Sequence, residues 1–352
     1  MIHLNLNKLR SIGFITLLLL GGCSSPINAG CPPDAYGNVI DLGNGQCQSL
    51  EGTPPSSSPV PAQANPAQVN PDQASRSQSP AQTFLWKAQS AQNEVYLLGS
   101  VHFLAENNYP LPAQMQAAFE DAEALVFEIN LDEQNTSQAQ QIILEKAQPE
   151  AGENFRDGLS PKTYTLATQK AAELGLPIEI FENLEPWFFT LMILPLELQK
   201  IGFDPQFGVD YYFYNQAVAQ NKKILSLETL AYQISLFDRL SIADQESLVL
   251  QALADLQSTE TLLTDLVSSW VTGDTAQFEQ VALESFKTYP QLQQTFLTDR
   301  NLNWLKTIES FFQKNEDYLV IVGAAHLVGD RGLIQLLADR GYRFEQVPTT
   351  PN

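Results

Sequence analysis

Val95-Tyr96-Leu97-Leu98-Gly99-Ser100-Val101-His102 and Leu319-Val320-Ile321-Val322-Gly323-Ala324-Ala325-His326 follow one pattern: an apolar run, a glycine, two further residues and a histidine. The chain has 3 histidines, and these two are the ones beyond its first few residues. Each apolar run reads as a strand buried on both faces. Both imidazoles are therefore expected just past a strand, where an α/β sheet opens and binds its ligands. The glycine three residues earlier is expected to turn the backbone sharply and leave room for a ligand beside the main chain.

Outward from these two runs, strand-like segments recur near 94–99, 124–129, 177–182, 223–227, 318–323 and 343–347. Amphipathic helical stretches lie between them, near 111–122, 160–175, 209–220, 230–256, 276–287, 300–314 and 330–340. Strands alternating with helices imply an α/β fold with a largely parallel or mixed central sheet covered by helices. The long helical block between the fourth and fifth strands is expected to form an inserted helical layer. Three strands run into a carboxylate, Glu128, Glu182 and Glu228. With right-handed crossovers these acids and both histidines fall on one rim of the sheet.

The start of the chain has the layout of a signal peptide over residues 1–22: Lys8 and Arg10, an apolar stretch from Ile12 to Leu20, then Gly21-Gly22-Cys23. The apolar stretch is too short to span a bilayer. Small residues before Cys23, with Leu20 three positions ahead, resemble the lipobox of a bacterial lipoprotein, in which Cys23 is acylated with palmitate-type chains; ordinary secretion is the alternative. Either way the location is extracytoplasmic, and without an Asp after Cys23 a Gram-negative host would place the anchor in the outer membrane. Residues 23–50 hold Cys31 and Cys47 among Gly, Pro and Asn, and in an oxidising compartment a small disulfide loop is expected. Residues 51–82, rich in Pro, Ser, Ala and Gln, read as an extended linker, and the globular domain as residues 83–350. The formal charge of −21 becomes −23 when Lys8 and Arg10 leave with the signal. Such acidity excludes nucleic acid as a partner, since that affinity comes mostly from Lys and Arg.

His102, His326 and a carboxylate such as Glu128 form a donor set suited to a divalent transition metal (Mn, Co, Zn or Fe). A metal there would acidify a bound water and polarise a carbonyl. Glu128 would ligate it or act as general base; Glu182 is expected to be a solvated strand-end charge. Ser100 with a histidine would suggest a serine hydrolase, but residues two apart on one strand are poorly placed for attack, and no GxSxG elbow occurs.

Phe84-Leu85-Trp86-Lys87, Tyr96 to His102, Leu125-Val126-Phe127-Glu128, Gly208-Val209-Asp210, Leu227-Glu228-Thr229 and Val322 to Gly329, in that order, resemble the TraB/PrgY/GumN family, which includes the Tiki proteases. The resemblance covers residues 83–348 and implies a fold like those of the erythromycin esterase and ChaN proteins. It implies metal-dependent peptide hydrolysis, with His102 and His326 binding the metal and Glu128 as partner. Asp299-Arg300-Asn301 also fits the family pattern: Arg300 would stabilise an oxyanion, or would be a helix-start arginine paired with Asp299. Asn301, Asp210 and Glu228 match as ligands, as partners of ligands or as structural support. The reading is a lipid-anchored metal-dependent hydrolase of a peptide or amide bond, or of a related small molecule. The alternative is a non-catalytic protein that sequesters a peptide signal in the same cleft.

Overall fold

The computed structural model describes residues 82–349 except 135, 150–152 and 257–258, together with two short strands, Ile40–Asp41 and Cys47–Gln48. Those two pair antiparallel, Asp41 opposite Cys47, in a separate unit spanning Ser25–Ser79. The signal segment, Cys23, Cys31 and the linker lie outside the described residues, so the lipid anchor and the Cys31–Cys47 bridge remain expectations. Among the described residues no helix is long and apolar enough to cross a membrane.

The larger unit is built on one open, mixed sheet of β1 (Gln82–Gln89), β2 (Glu94–Ser100), β3 (Ala124–Phe127), β4 (Lys223–Ser226), β5 (Tyr318–Gly323) and β6 (Glu345–Pro348), in the order β4-β3-β5-β2-β1-β6. The four strands β4, β3, β5 and β2 are parallel to one another, and β1 and β6 add antiparallel at the β2 edge. Every residue of β3 and β5 is buried, which is why these strands read as unbroken apolar runs rather than alternating ones. In β2 and β5 Ser100 stands opposite Gly323, so the two histidine motifs leave the sheet at the same level, side by side.

Helices α1 (Ala113–Asp121), α2 (a single turn, Leu131–Gln134), α3 (Ser137–Lys146), α4 (Pro161–Glu173), α5 (Pro186–Lys200) and α6 (Val209–Ala219) precede β4. Between β4 and β5 come α7 (Leu230–Asp238), α8 (Ile242–Asp255), α9 (Thr259–Thr272), α10 (Thr275–Glu284), α11 (Pro290–Gln293) and α12 (Asp299–Phe311), and α13 (Leu333–Ala338) precedes β6. The helical layer therefore draws on the segment before β4 as well as the block after it. Phe155, Phe181, Phe189, Ile193, Val249 and Leu253 give it an apolar cluster of its own, apart from the main core around the sheet.

Three expectations change. Residues 177–182 are not a strand: Ile178–Phe181 forms a 3-10 turn after Pro177, with Phe181 alone of the four buried, and Glu182 is exposed away from the rim. The helix expected over 230–256 is two, because Ser241 caps α8 by accepting from Asp244 N–H. Helix α5 was not expected because its sequence is apolar all round and carries no amphipathic period.

Candidate functional site

Gly99 does not open space for a ligand. A Cβ there would lie 2.6 Å from Phe84 Cδ1 and 3.1 Å from Ala324, so the glycine lets β1 and the second histidine motif pack against the first. The Gly99 carbonyl accepts from buried Trp270 Nε1 at 2.7 Å. Two residues further on, Val101 C=O accepts from Val209 N–H, docking the start of α6. Gly208 is needed for that docking, because a Cβ would stand 2.5 Å from the His102 carbonyl oxygen. The result places Asp210 beside His102: Oδ2 lies 3.1 Å from His102 Nδ1. Asp210 Oδ1 accepts from Ser100 Oγ at 3.0 Å, and Ser100 Oγ accepts from Asp210 N–H at 3.2 Å. Ser100 thus fixes the carboxylate that lies against the imidazole.

At the ends of β3 and β4, Glu128 and Glu228 continue the strand pairing, Glu228 N–H donating to Glu128 C=O at 2.9 Å. Facing them is Arg300, with no exposed surface, in the first turn of α12 just after a π-helical turn at Gln294–Thr298. Such wide turns redirect side chains and recur at functional sites. Arg300 Nη2 pairs with Glu128 Oε2 and, at 2.6 Å, with Glu228 Oε1. Its Nε also donates to Glu228 at 3.0 Å, and Nη1 reaches Phe296 C=O at 3.3 Å and His326 Nε2 at 3.1 Å. Asn301 Oδ1 lies 2.7 Å from His326 Nδ1. His326 therefore donates from Nδ1 to Asn301 and accepts from Arg300 at Nε2, the pattern of a neutral ring. Trp304 packs on both His326 and Arg300 and donates Nε1–H to Glu228 Oε2 at 3.0 Å. Asp299 accepts from Gln294, not from Arg300.

Burial pushes Glu128 upward, but Arg300 foremost, then His326, His102 and the Gly323 N–H at 2.7 Å, outweigh it and hold the carboxyl at about 2. Burial lifts Glu228 above its usual range despite Arg300, and the neighbouring Glu128 charge adds to the rise. Burial, reinforced by the positive charge of Arg300, drops His326 to about 3, in keeping with its neutral hydrogen bonding. His102, Glu128 and Asp210, with Gln134 of α2 and Gln233 of α7, line a cavity of about 20 Å³. A groove of about 420 Å³ lies on the outer side of α7 and α12, between Tyr232, Arg239, Asp299 and Asn303. It is larger but contains none of the clustered acids and histidines.

A model of the TraB/PrgY/gumN family matches residues 84–346. The chain belongs to this family. It is similar to the uncharacterized protein YbaP of Escherichia coli (strain K12), with 25% identity over 243 residues that make up 69% of this chain and 87% of that protein. Uncharacterized protein YbaP of Shigella flexneri matches to the same extent. No solved structure matches the chain.

The metal implied by the resemblance to the TraB/PrgY/GumN family does not fit the residues as they stand. Both ring nitrogens of His326 are engaged, both oxygens of Glu128 are held, and the cation among His326, Glu128 and Glu228 is the Arg300 guanidinium. Among the described residues no three His, Cys, Asp or Glu side chains converge as a metal-binding group. Every nitrogen of Arg300 likewise has a protein acceptor, so its geometry is that of a brace for Glu128 and Glu228. The structure gathers His102, Glu128, Asp210, Glu228, Arg300, Asn301 and His326 at one rim. It adds Gln134, Gln233 and Trp304, of which only Trp304 carries a sequence signal, four residues after Arg300 on one helix face, and it gives Ser100, set aside above as a nucleophile, the task of holding Asp210.

Proposed function

We propose that the chain is a lipid-anchored, extracytoplasmic hydrolase of a peptide or amide bond, with His102 as its general base. The observation that supports this most directly is the His102–Asp210 contact of 3.1 Å at the wall of a small cavity on the parallel-strand rim. The carboxylate charge of Asp210, 3.1 Å from Nδ1, favours a proton on that nitrogen and so makes the opposite ring nitrogen the base, the division of roles between carboxylate and imidazole used in acyl transfer. Glu128 is the weaker candidate for base: a carboxyl held at about 2 has little affinity for a proton near neutral pH. Its ionised charge instead stabilises the imidazolium that forms on His102.

In the reaction, water oxygen bonds to the carbonyl carbon as one water proton passes to His102. Collapse breaks the carbon–nitrogen bond, and His102 returns that proton to the leaving amine. Arg300 keeps Glu128 in place throughout, with Glu228, Trp304 and His326 holding Arg300 in turn. A divalent metal would take its place here only if Arg300 were displaced.

The test uses the full-length chain and defined peptides, followed by mass spectrometry. Hydrolysis is expected, with kcat/KM lowered about 10²- to 10⁴-fold in His102→Ala and Asp210→Asn. Activity that persists in chelator supports the His102–Asp210 reading. Activity lost in chelator and restored by Mn, Co, Zn or Fe supports the metal-dependent one. Peptides recovered intact but bound favour sequestration.

A further inference from the structure

We propose that a groove along α10 and the loop after His326 binds a basic peptide segment, with Glu279 and Asp330 receiving an arginine or lysine side chain. That the peptide is then cut rests on the hydrolase reading above; its binding rests on the groove alone. Two adjoining cavities of about 300 and 280 Å³ make up the groove, and they share Glu279, Val328, Gly329 and Asp330. The first reaches Asn301 and Ala325, beside His326; the second reaches Trp86 of β1 and Ile334. Each alone is at the lower end of ligand-pocket sizes, roughly 300 Å³. Joined, they suit an extended chain better than a single small molecule.

The loop is held in shape from both sides. Asn301 Nδ2 donates to the His326 and Arg331 carbonyls at 3.2 and 2.9 Å, which pins the two ends of the turn to α12. Gly329 takes φ +81°, and a Cβ there would stand 3.0 Å from Leu283 Cδ1 and 3.4 Å from Glu279 Oε1, so the glycine keeps the space over that carboxylate clear. Glu279 is half-buried, and among the described residues its side chain makes no hydrogen bond or ion pair. The exposed Asp330 carboxylate has none either, and no basic residue lines the second cavity. A carboxylate that loses water without gaining a partner is costly, and a cationic ligand offsets that cost. Trp86, Leu327, Val328 and Ile334 wall the same cavity and suit the carbon stem of an arginine or lysine whose head lies between the two acids. Lys287 and Arg331 line only the first cavity, so the cation belongs in the second. In the first, Leu283 and Leu297 face the chain that follows. Thr298 there is 3 % exposed; among the described residues its hydroxyl has no hydrogen-bond partner and is not sealed from open space, which leaves it for a peptide carbonyl or N–H.

Calorimetry on the full-length chain tests this with acetylated, amidated Ala-Ala-Arg-Ala-Ala, its Met and Glu counterparts at the central position, and capped arginine alone. The arginine peptide is expected to bind, the Met and Glu peptides at least about tenfold more weakly, and capped arginine more weakly than the pentapeptide. Glu279→Gln and Asp330→Asn should each weaken the arginine peptide about tenfold at an unchanged melting temperature, since neither carboxylate has a partner to lose. Glu279→Lys should turn the preference towards the glutamate peptide. Equal binding of the three peptides overturns the proposal, as does an absence of binding or binding untouched by Glu279→Gln and Asp330→Asn. Capped arginine that matches the pentapeptide removes the first cavity from the site and with it the peptide. An arginine peptide bound through Glu279 but recovered uncut leaves the groove standing and counts against the hydrolase reading alone.

Discussion

A guanidinium with no exposed surface lies between two buried carboxylates and a neutral imidazole, and each partner is itself held by a second contact. Removing one member of a buried ion pair leaves an uncompensated charge, at a cost of about 3–5 kcal/mol. Arg300→Met is expected to lose stability on that scale in urea unfolding. Adding Glu128→Gln should recover part of the loss, since one stranded charge is removed with it. Arg300→Lys should fall between, because an ammonium cannot fork to Glu128, Glu228 and His326 at once. An Arg300→Met protein that unfolds at the wild-type urea concentration would show that the cluster is not the brace described. The two histidines and Glu128 were legible as a cluster because apolar runs lead directly into them. The role of Arg300 was not, since nothing in Asp299-Arg300-Asn301 reveals that a π-helical turn aims it inward.

At the scale of elements, α6 ties the site together. Its first turn carries Asp210 against His102, and its next turn carries Tyr214, whose hydroxyl donates to Asn130 Oδ1 at 2.9 Å and accepts from Asp132 N–H at 3.2 Å. The Asn130–Gln134 turn, which brings Gln134 to the cavity, is thus fastened to the helix that orients the base. Tyr214→Phe removes both bonds while keeping the ring that packs on Phe127. Faster amide hydrogen exchange is expected over residues 130–134, with β2 and β5 unchanged; unaltered exchange in that turn would rule out the fastening. The buried parallel strands could be read from apolar runs, and α4 from Ser160-Pro161 at its start and Gly175, at φ +72°, just beyond its end. Helix α5 and the 178–181 turn could not, because periodicity fails where a helix is apolar all round and where Pro177 precedes a run that mimics a strand.

Over the whole molecule, burying this cluster makes stability depend on pH. Above pH 6.5 His326 is neutral whether the chain is folded or unfolded. Below 6.5 the unfolded chain takes up a proton that folded His326 resists down to about 3, so stability falls with pH across that window. Glu128 adds a further loss between its ordinary 4.5 and about 2, where again the unfolded chain protonates first. Glu228 acts in the opposite sense: its raised carboxyl takes a proton in the folded chain first, and this offsets part of the His326 loss just above 4.5. Denaturation across pH should show wild type weaker at pH 4 than at pH 7, with a His326 contribution of at most about 1.4 kcal/mol per pH unit. His326→Gln should flatten the slope below 6.5, and an unchanged slope would mean that His326 is not buried neutral. A parallel or mixed sheet with a functional rim was evident in the alternation of strands and helices, but strand β1 was not; the interior chemistry depends on side chains from α2, α6, α7 and α12, which meet only in the fold. Incubation of the full-length chain with peptides in water enriched in heavy oxygen reads out hydrolysis itself. New peptide termini whose carboxylates carry the heavy isotope are expected, and are lost in His102→Ala; peptides recovered uncut, with no isotope incorporated, would show that the chain is not a peptide hydrolase.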